Sequence, residues 1–118
     1  MVEVLERGTT EHALDRASIV VAEDDLATRA LLRATLERAD YAVREFDNGA
    51  DALIGIQRSP PDVALLDIGM PGMDGLDVTR ALRRTPATAL LPIILVTARG
   101  RTEDKVAGAL GVSIEQYR

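Results

Sequence analysis

Four residues in this chain pair a ligating or reactive side chain with the same local setting. Glu23 and Asp24 follow the apolar run Ile19-Val20-Val21-Ala22, Asp67 closes Val63-Ala64-Leu65-Leu66, and Thr97 closes Pro92-Ile93-Ile94-Leu95-Val96. Taken singly, each has an ordinary explanation, since an acid after a strand often caps a helix and threonine is common in strands. Together they are harder to explain that way. Carboxylates brought from separate strands to one place repel each other and must either stay protonated or hold a cation. The chain has no cysteine and a single histidine, His12, so thiolate zinc sites, disulfides and histidine clusters are excluded. Hard oxygen ligands remain, and these suit Mg2+, which commonly bridges one or two carboxylates to phosphate oxygens. A carboxylate can act as a covalent nucleophile. Asp67, ionised at neutral pH, would need no general base for that task, and a cation would offset the charge of a transferring phosphoryl group.

The elements that must position these residues follow from periodicity. The three apolar runs have the pattern of strands buried on both faces, each with its polar residues at the C-terminal tip. Tyr41 to Phe46 alternates as a more exposed strand. Between the strands lie a helix over Ala27 to Ala39, with Leu31, Leu32, Thr35 and Leu36 on its apolar side, a second over Ala50 to Arg58, and a third over Leu76 to Arg84. Asn48-Gly49 marks a turn, Ser59-Pro60-Pro61 stops the second helix, and a short fourth helix is expected from Glu103 to Leu110. Strict alternation of buried strands and helices implies right-handed crossovers and an α/β, doubly wound parallel sheet. In such a sheet ligands bind beyond the carboxyl ends of the strands, where strand order reverses. Glu23, Asp24, Asp67 and Thr97 are expected at that rim.

Residues 1–17 show no sustained period and are read as a flexible N-terminal extension carrying a solvated His12, followed by one domain over 18–118. A net charge of −5 argues against a nucleic-acid grip built on clustered Lys and Arg. No basic leader or membrane-length apolar run is present, so a cytoplasmic location is expected, with no membrane partner.

The segments Val20-Val21-Ala22-Glu23-Asp24-Asp25, Asp67-Ile68-Gly69-Met70-Pro71-Gly72-Met73-Asp74-Gly75 and Leu91 to Arg99 together resemble the receiver domain of two-component response regulators. The resemblance covers about residues 18–111. It implies a flavodoxin-like five-stranded sheet of order 2-1-3-4-5 and a switch that receives phosphate from a sensor histidine kinase or phosphotransfer protein. By matching position, Asp67 is the phospho-acceptor, Glu23 and Asp24 bind Mg2+, and the Gly69 carbonyl is a third protein ligand. Thr97 is then the hydroxyl that bonds the phosphoryl group, Ala98 its small neighbour, and Gly69 and Arg99 occupy positions that tune phosphate lifetime. Asp25 is read as lying outside the ion's ligands or in solvent, and Asp74 as equally suited to capping helix three and to touching the site.

The match breaks at the C-terminal end. No Lys-Pro pair is present, and Lys105, the only lysine, lies in the expected fourth helix. The fifth strand and fifth helix are therefore expected to be short or missing, with Val112-Ser113-Ile114 as a stub of strand five and Tyr117 as a candidate switch aromatic. Should no fifth strand form, strand four would present an open edge and invite a homodimer. Two further readings are weighed: a degenerate receiver acting as a phosphorylation-independent interaction or dimerisation module, and a magnesium-dependent phosphohydrolase. The latter would usually carry an acid where this chain has Gly69, so self-phosphorylation and self-dephosphorylation are expected rather than turnover of external substrates. Flavin binding is disfavoured, because no phosphate-cradling loop follows strand one.

Overall fold

The computed structural model describes residues 16–96 and the backbone of a strand at Ile114–Tyr117. Strands β1 (Ser18–Ala22), β2 (Ala42–Phe46), β3 (Val63–Asp67) and β4 (Ile93–Val96) alternate with helices α1 (Leu26–Arg38), α2 (Gly49–Arg58) and α3 (Gly75–Arg83), and β5 (Ile114–Tyr117) follows. The sheet order is β2-β1-β3-β4-β5, as expected. The first four strands are parallel.

Register places the core. Val20 pairs with Ala64 and Ala22 with Leu66, while Ala64 pairs with Ile93 and Leu66 with Leu95. Side chains alternate along a strand, so these six residues share one face of the sheet. Ala52 and Ile56 of α2 and Val78 and Leu82 of α3 complete the same buried cluster. Burying each of these larger side chains contributes about 1.5–3 kcal/mol. Helix α1 lies against β1 and β2. It has no fully buried residue: Leu32 and Leu36 are half-buried and Leu31 is 55% exposed. The apolar stripe expected on this helix is therefore only partly covered by the described residues.

The helix boundaries have local causes. Asp25 caps α1, accepting from the Thr28 N–H at 2.9 Å and the Thr28 hydroxyl at 2.7 Å. Asn48 caps α2 through the Asp51 N–H, so Gly49, expected in the turn, is the first residue of the helix. Asp74 and Asp77 form a reciprocal capping box at the start of α3, which decides the role of Asp74 between the two expected. A short 3-10 turn over Pro86–Thr88, not anticipated from periodicity, leads into β4.

The direction of β5 differs from the parallel arrangement that the resemblance implies. It runs antiparallel to β4, with Val96 opposite Ile114 and Ile93 opposite Tyr117. A chain leaving the end of β4 can re-enter there in antiparallel sense without travelling back along the sheet, as a parallel crossover must. The edge of β4 is thereby paired, so the condition under which it was expected to be open is not met. The expected helix over residues 103–110 and the extension up to residue 15 lie outside the described residues. Among those described, no helix is long and apolar enough to cross a membrane.

Candidate functional site

Parallel pairing sets the site. Because Ala22 is in register with Leu66, the next residues, Glu23 and Asp67, emerge side by side from neighbouring strands. Adjacent strands lie about 4.8 Å apart. The ladder continues one step past the strand ends: the Glu23 N–H donates to the Phe46 carbonyl at 3.1 Å, and the Ile68 N–H to the Val96 carbonyl at 3.0 Å. Glu23 and Asp67 are both 2% exposed, while Asp24 is half-buried. Carboxylate oxygens from Glu23, Asp24 and Asp67 all lie within 4.8 Å of one another.

Backbone groups orient these side chains. The Asp25 N–H donates to Glu23 Oε2 at 2.9 Å, and the Gly69 N–H donates to Asp67 Oδ1 at 2.9 Å. The Glu23 carbonyl accepts from Arg29 Nη1 at 2.9 Å. The loop after β3 is seated by close approach at two glycines. A Cβ on Gly75 would stand 2.7 Å from the Asp67 carbonyl oxygen, and one on Gly49 would stand 2.1 Å from that of Met73. Any larger residue at either position would push the loop away from α2 or β3.

The electrostatics are those of crowded acids. Burial pushes the Glu23 carboxyl up to about 7, against the hydrogen bond from the Asp25 N–H. The Asp67 charge and contacts with the Asp67 and Asp24 side chains add to the rise. A divalent cation would remove this conflict. The donor set is all oxygen and convergent, with Glu23 and Asp67 buried and Asp24 half-buried, which fits a hard ion such as Mg2+ better than a soft one.

Of the residues singled out from the sequence, Glu23, Asp24 and Asp67 are brought together, and Gly69 joins them at the same rim through its N–H. Thr97, Ala98, Arg99 and Lys105 lie outside the described residues, as does the side chain of Tyr117. The residue before Thr97, Val96, is in register with Asp67. Asp25 lies outside the three converging carboxylates, as expected, and has two definite tasks: its side chain caps α1, and its amide holds Glu23. Arg29 is not among the residues singled out from the sequence. Its contact with the Glu23 carbonyl has a partial sequence signal in Glu45, an acid on the neighbouring strand that pairs with it at 2.9 Å.

A family model described as the response regulator receiver domain matches residues 19–117. Transcriptional regulatory protein ResD of Bacillus subtilis is 40% identical over 94 residues, covering 80% of this chain and 38% of ResD. Protein PilH of Pseudomonas aeruginosa is 36% identical over 92 residues, covering 78% of this chain and 76% of PilH. The crystallised chemotaxis protein CheY4 of Vibrio cholerae superposes with a TM-score of 0.68 at 28% identity, covering 82% of each chain. The chain thus spans about two-fifths of the length of ResD and three-quarters of that of PilH.

Proposed function

This chain belongs to the response regulator receiver family, and on that premise we propose that it is a phosphorylation switch whose acceptor is Asp67. The donor is the phosphohistidine of a sensor histidine kinase or phosphotransfer protein. A carboxylate oxygen of Asp67 attacks phosphorus, a P–O bond forms, and the P–N bond breaks with its electron pair returning to the imidazole. No proton has to leave Asp67. The Gly69 N–H on Oδ1 fixes the rotation of the carboxylate, so the nucleophile is oriented before the donor arrives.

The Glu23, Asp24 and Asp67 carboxylates and the Gly69 carbonyl would hold Mg2+. When bound, the ion supplies positive charge that offsets the negative oxygens of the transferring group. A cation held there would favour the ionised form of Glu23, whose carboxyl burial raises to about 7. Thr97 is assigned to hydrogen-bond the phosphoryl group once it is on Asp67. Water attack on the acyl phosphate then resets the switch. The observation that carries this reading is the convergence of three carboxylates within 4.8 Å at the C-terminal rim of β1 and β3.

Acetyl phosphate with Mg2+, followed by intact-mass measurement, tests it. One added phosphoryl group, acid-stable and base-labile, is expected in the wild type and not in Asp67→Asn or in chelator. An unchanged wild-type mass would favour a phosphorylation-independent interaction module instead.

A further inference from the structure

Arg29 sits in the first turns of α1 with its side chain only 15% exposed. Its guanidinium makes two directed bonds of equal length. Nη1 donates to the Glu23 carbonyl at 2.9 Å, and Nε donates to Glu45 Oε1 at 2.9 Å. Glu45, on β2, is held in turn by Arg33, which also pairs with Glu37 at 3.0 Å. These groups form a brace running from α1 across β2 to the backbone of the residue that begins the acidic pair.

We infer that Arg29 is a positioning residue for the ion site, acting through the Glu23 carbonyl. The inference rests on the ion-binding role proposed for Glu23 and Asp24. Among the contacts that hold Glu23, its N–H donates to the Phe46 carbonyl, its carbonyl accepts from Arg29 and its carboxylate accepts from the Asp25 N–H. Phe46 and Asp25 act through main-chain groups that any residue would supply. Arg29 holds the Glu23 backbone through a side chain. Its carbonyl partner belongs to the peptide joining Glu23 to Asp24, so rotation of that peptide would move both carboxylates relative to Asp67. Mg2+ demands near-ideal octahedral geometry at about 2.0–2.1 Å, and the groups that orient metal ligands govern affinity strongly. A planar fork can satisfy a carbonyl and a carboxylate at once, whereas a lysine ammonium on a flexible stem is a single point charge. Arg33 is the internal comparison, since it engages the same Glu45 but has Glu37, not Glu23, as its other partner.

Titration calorimetry of the full chain with Mg2+ alone, beside urea unfolding in chelator, decides the matter. Arg29→Gln is expected to raise the Mg2+ Kd roughly tenfold. Arg29→Lys, despite keeping the charge, should raise it at least about threefold. Arg33→Gln, which leaves both Arg29 bonds in place, should leave the Kd within about twofold and shift the urea midpoint only slightly, because ion pairs open to solvent contribute little. Should Arg29→Gln fail to fold, Arg29→Lys and Glu45→Gln carry the test, the latter expected to weaken uptake by loosening the brace. Equal weakening in the Arg29 and Arg33 variants would overturn the inference, as would wild-type affinity in Arg29→Lys. Uptake by the wild type with unchanged Arg29 variants would sink this inference alone, whereas no uptake by the wild type would sink the ion site with it.

Discussion

Replacing Asp67 by asparagine should make the ion-free protein more stable while removing most of its response to Mg2+. The substitution keeps the shape of the side chain and an oxygen for the Gly69 N–H, so the 2.9 Å hydrogen bond can persist. What it removes is one charge from three carboxylates whose oxygens lie within 4.8 Å of one another. At that separation a pair of unit charges repels by about 0.9 kcal/mol in water and about 3.5 kcal/mol at an effective dielectric of 20. Glu23 titrates near 7, so it already carries a proton part of the time at neutral pH, which lowers the repulsion available to be relieved. A net gain of roughly 1–2 kcal/mol at pH 7.5 follows. For a domain of this size that corresponds to a rise in Tm of about 4–8 °C. Urea and thermal unfolding followed by circular dichroism, in chelator and in 10-fold steps of Mg2+, measure both effects. The wild type should gain stability with the logarithm of Mg2+ concentration once the site begins to fill, while Asp67→Asn should gain little, so the two converge or cross. An Asp67→Asn protein no more stable than the wild type in chelator at pH 7.5 would refute the claim that these acids are in conflict.

Two further outcomes follow from the same geometry. The Glu23 carboxyl, raised to about 7 in the folded protein from an ordinary value of 4.5, keeps a proton that the unfolded chain has lost between those limits. Ion-free stability should therefore fall as pH rises through that window, by at most ~3 kcal/mol, and level off above it. Glu23→Gln should flatten this part of the urea-midpoint profile, and an unchanged slope would assign it to other groups. In α2, Gly49→Ala at the first helical position and Gly55→Ala in the interior, where alanine gains more in helix propensity, also differ in what the new methyl meets. At Gly49 it meets the Met73 carbonyl at 2.1 Å, and at Gly55 the tip of the Phe46 ring at 2.4 Å, which can turn aside. Gly49→Ala should cost about 1–3 kcal/mol and Gly55→Ala distinctly less. Equal urea midpoints would count against the seating of the loop on α2.

The parts of this site legible in the sequence are those for which residue type and strand period both speak. Apolar runs leading to Glu23 and Asp67 identify buried parallel strands and the rim where they end, and register then brings the two acids together. The direction of β5 was not legible, since Ile114 to Tyr117 pairs through its backbone with β4, and a short alternating segment carries no mark of parallel or antiparallel sense. Helix α1 shows the limit of periodicity in another way: its leucines fall on one side, yet what covers them is a tertiary matter, and Leu31 stays 55% exposed.

The deeper reason lies in how the site is held. The Asp25 and Gly69 N–H groups and the Glu23 carbonyl do much of the orienting, and a main-chain group is the same whatever residue bears it. Asp25 could therefore be placed near the acids from its position but not given its two tasks, capping α1 with its side chain and holding Glu23 with its amide. Backbone roles surface in sequence only where close approach excludes a side chain, as at Gly75 against the Asp67 carbonyl. They surface again where a charged partner must reach the chain, as Arg29 does toward Glu23. A glycine and an arginine at such positions are thus the visible ends of a framework that is otherwise made of peptide groups. Gly75 and Arg29 should consequently govern ion affinity more than the side chain of Asp25 does.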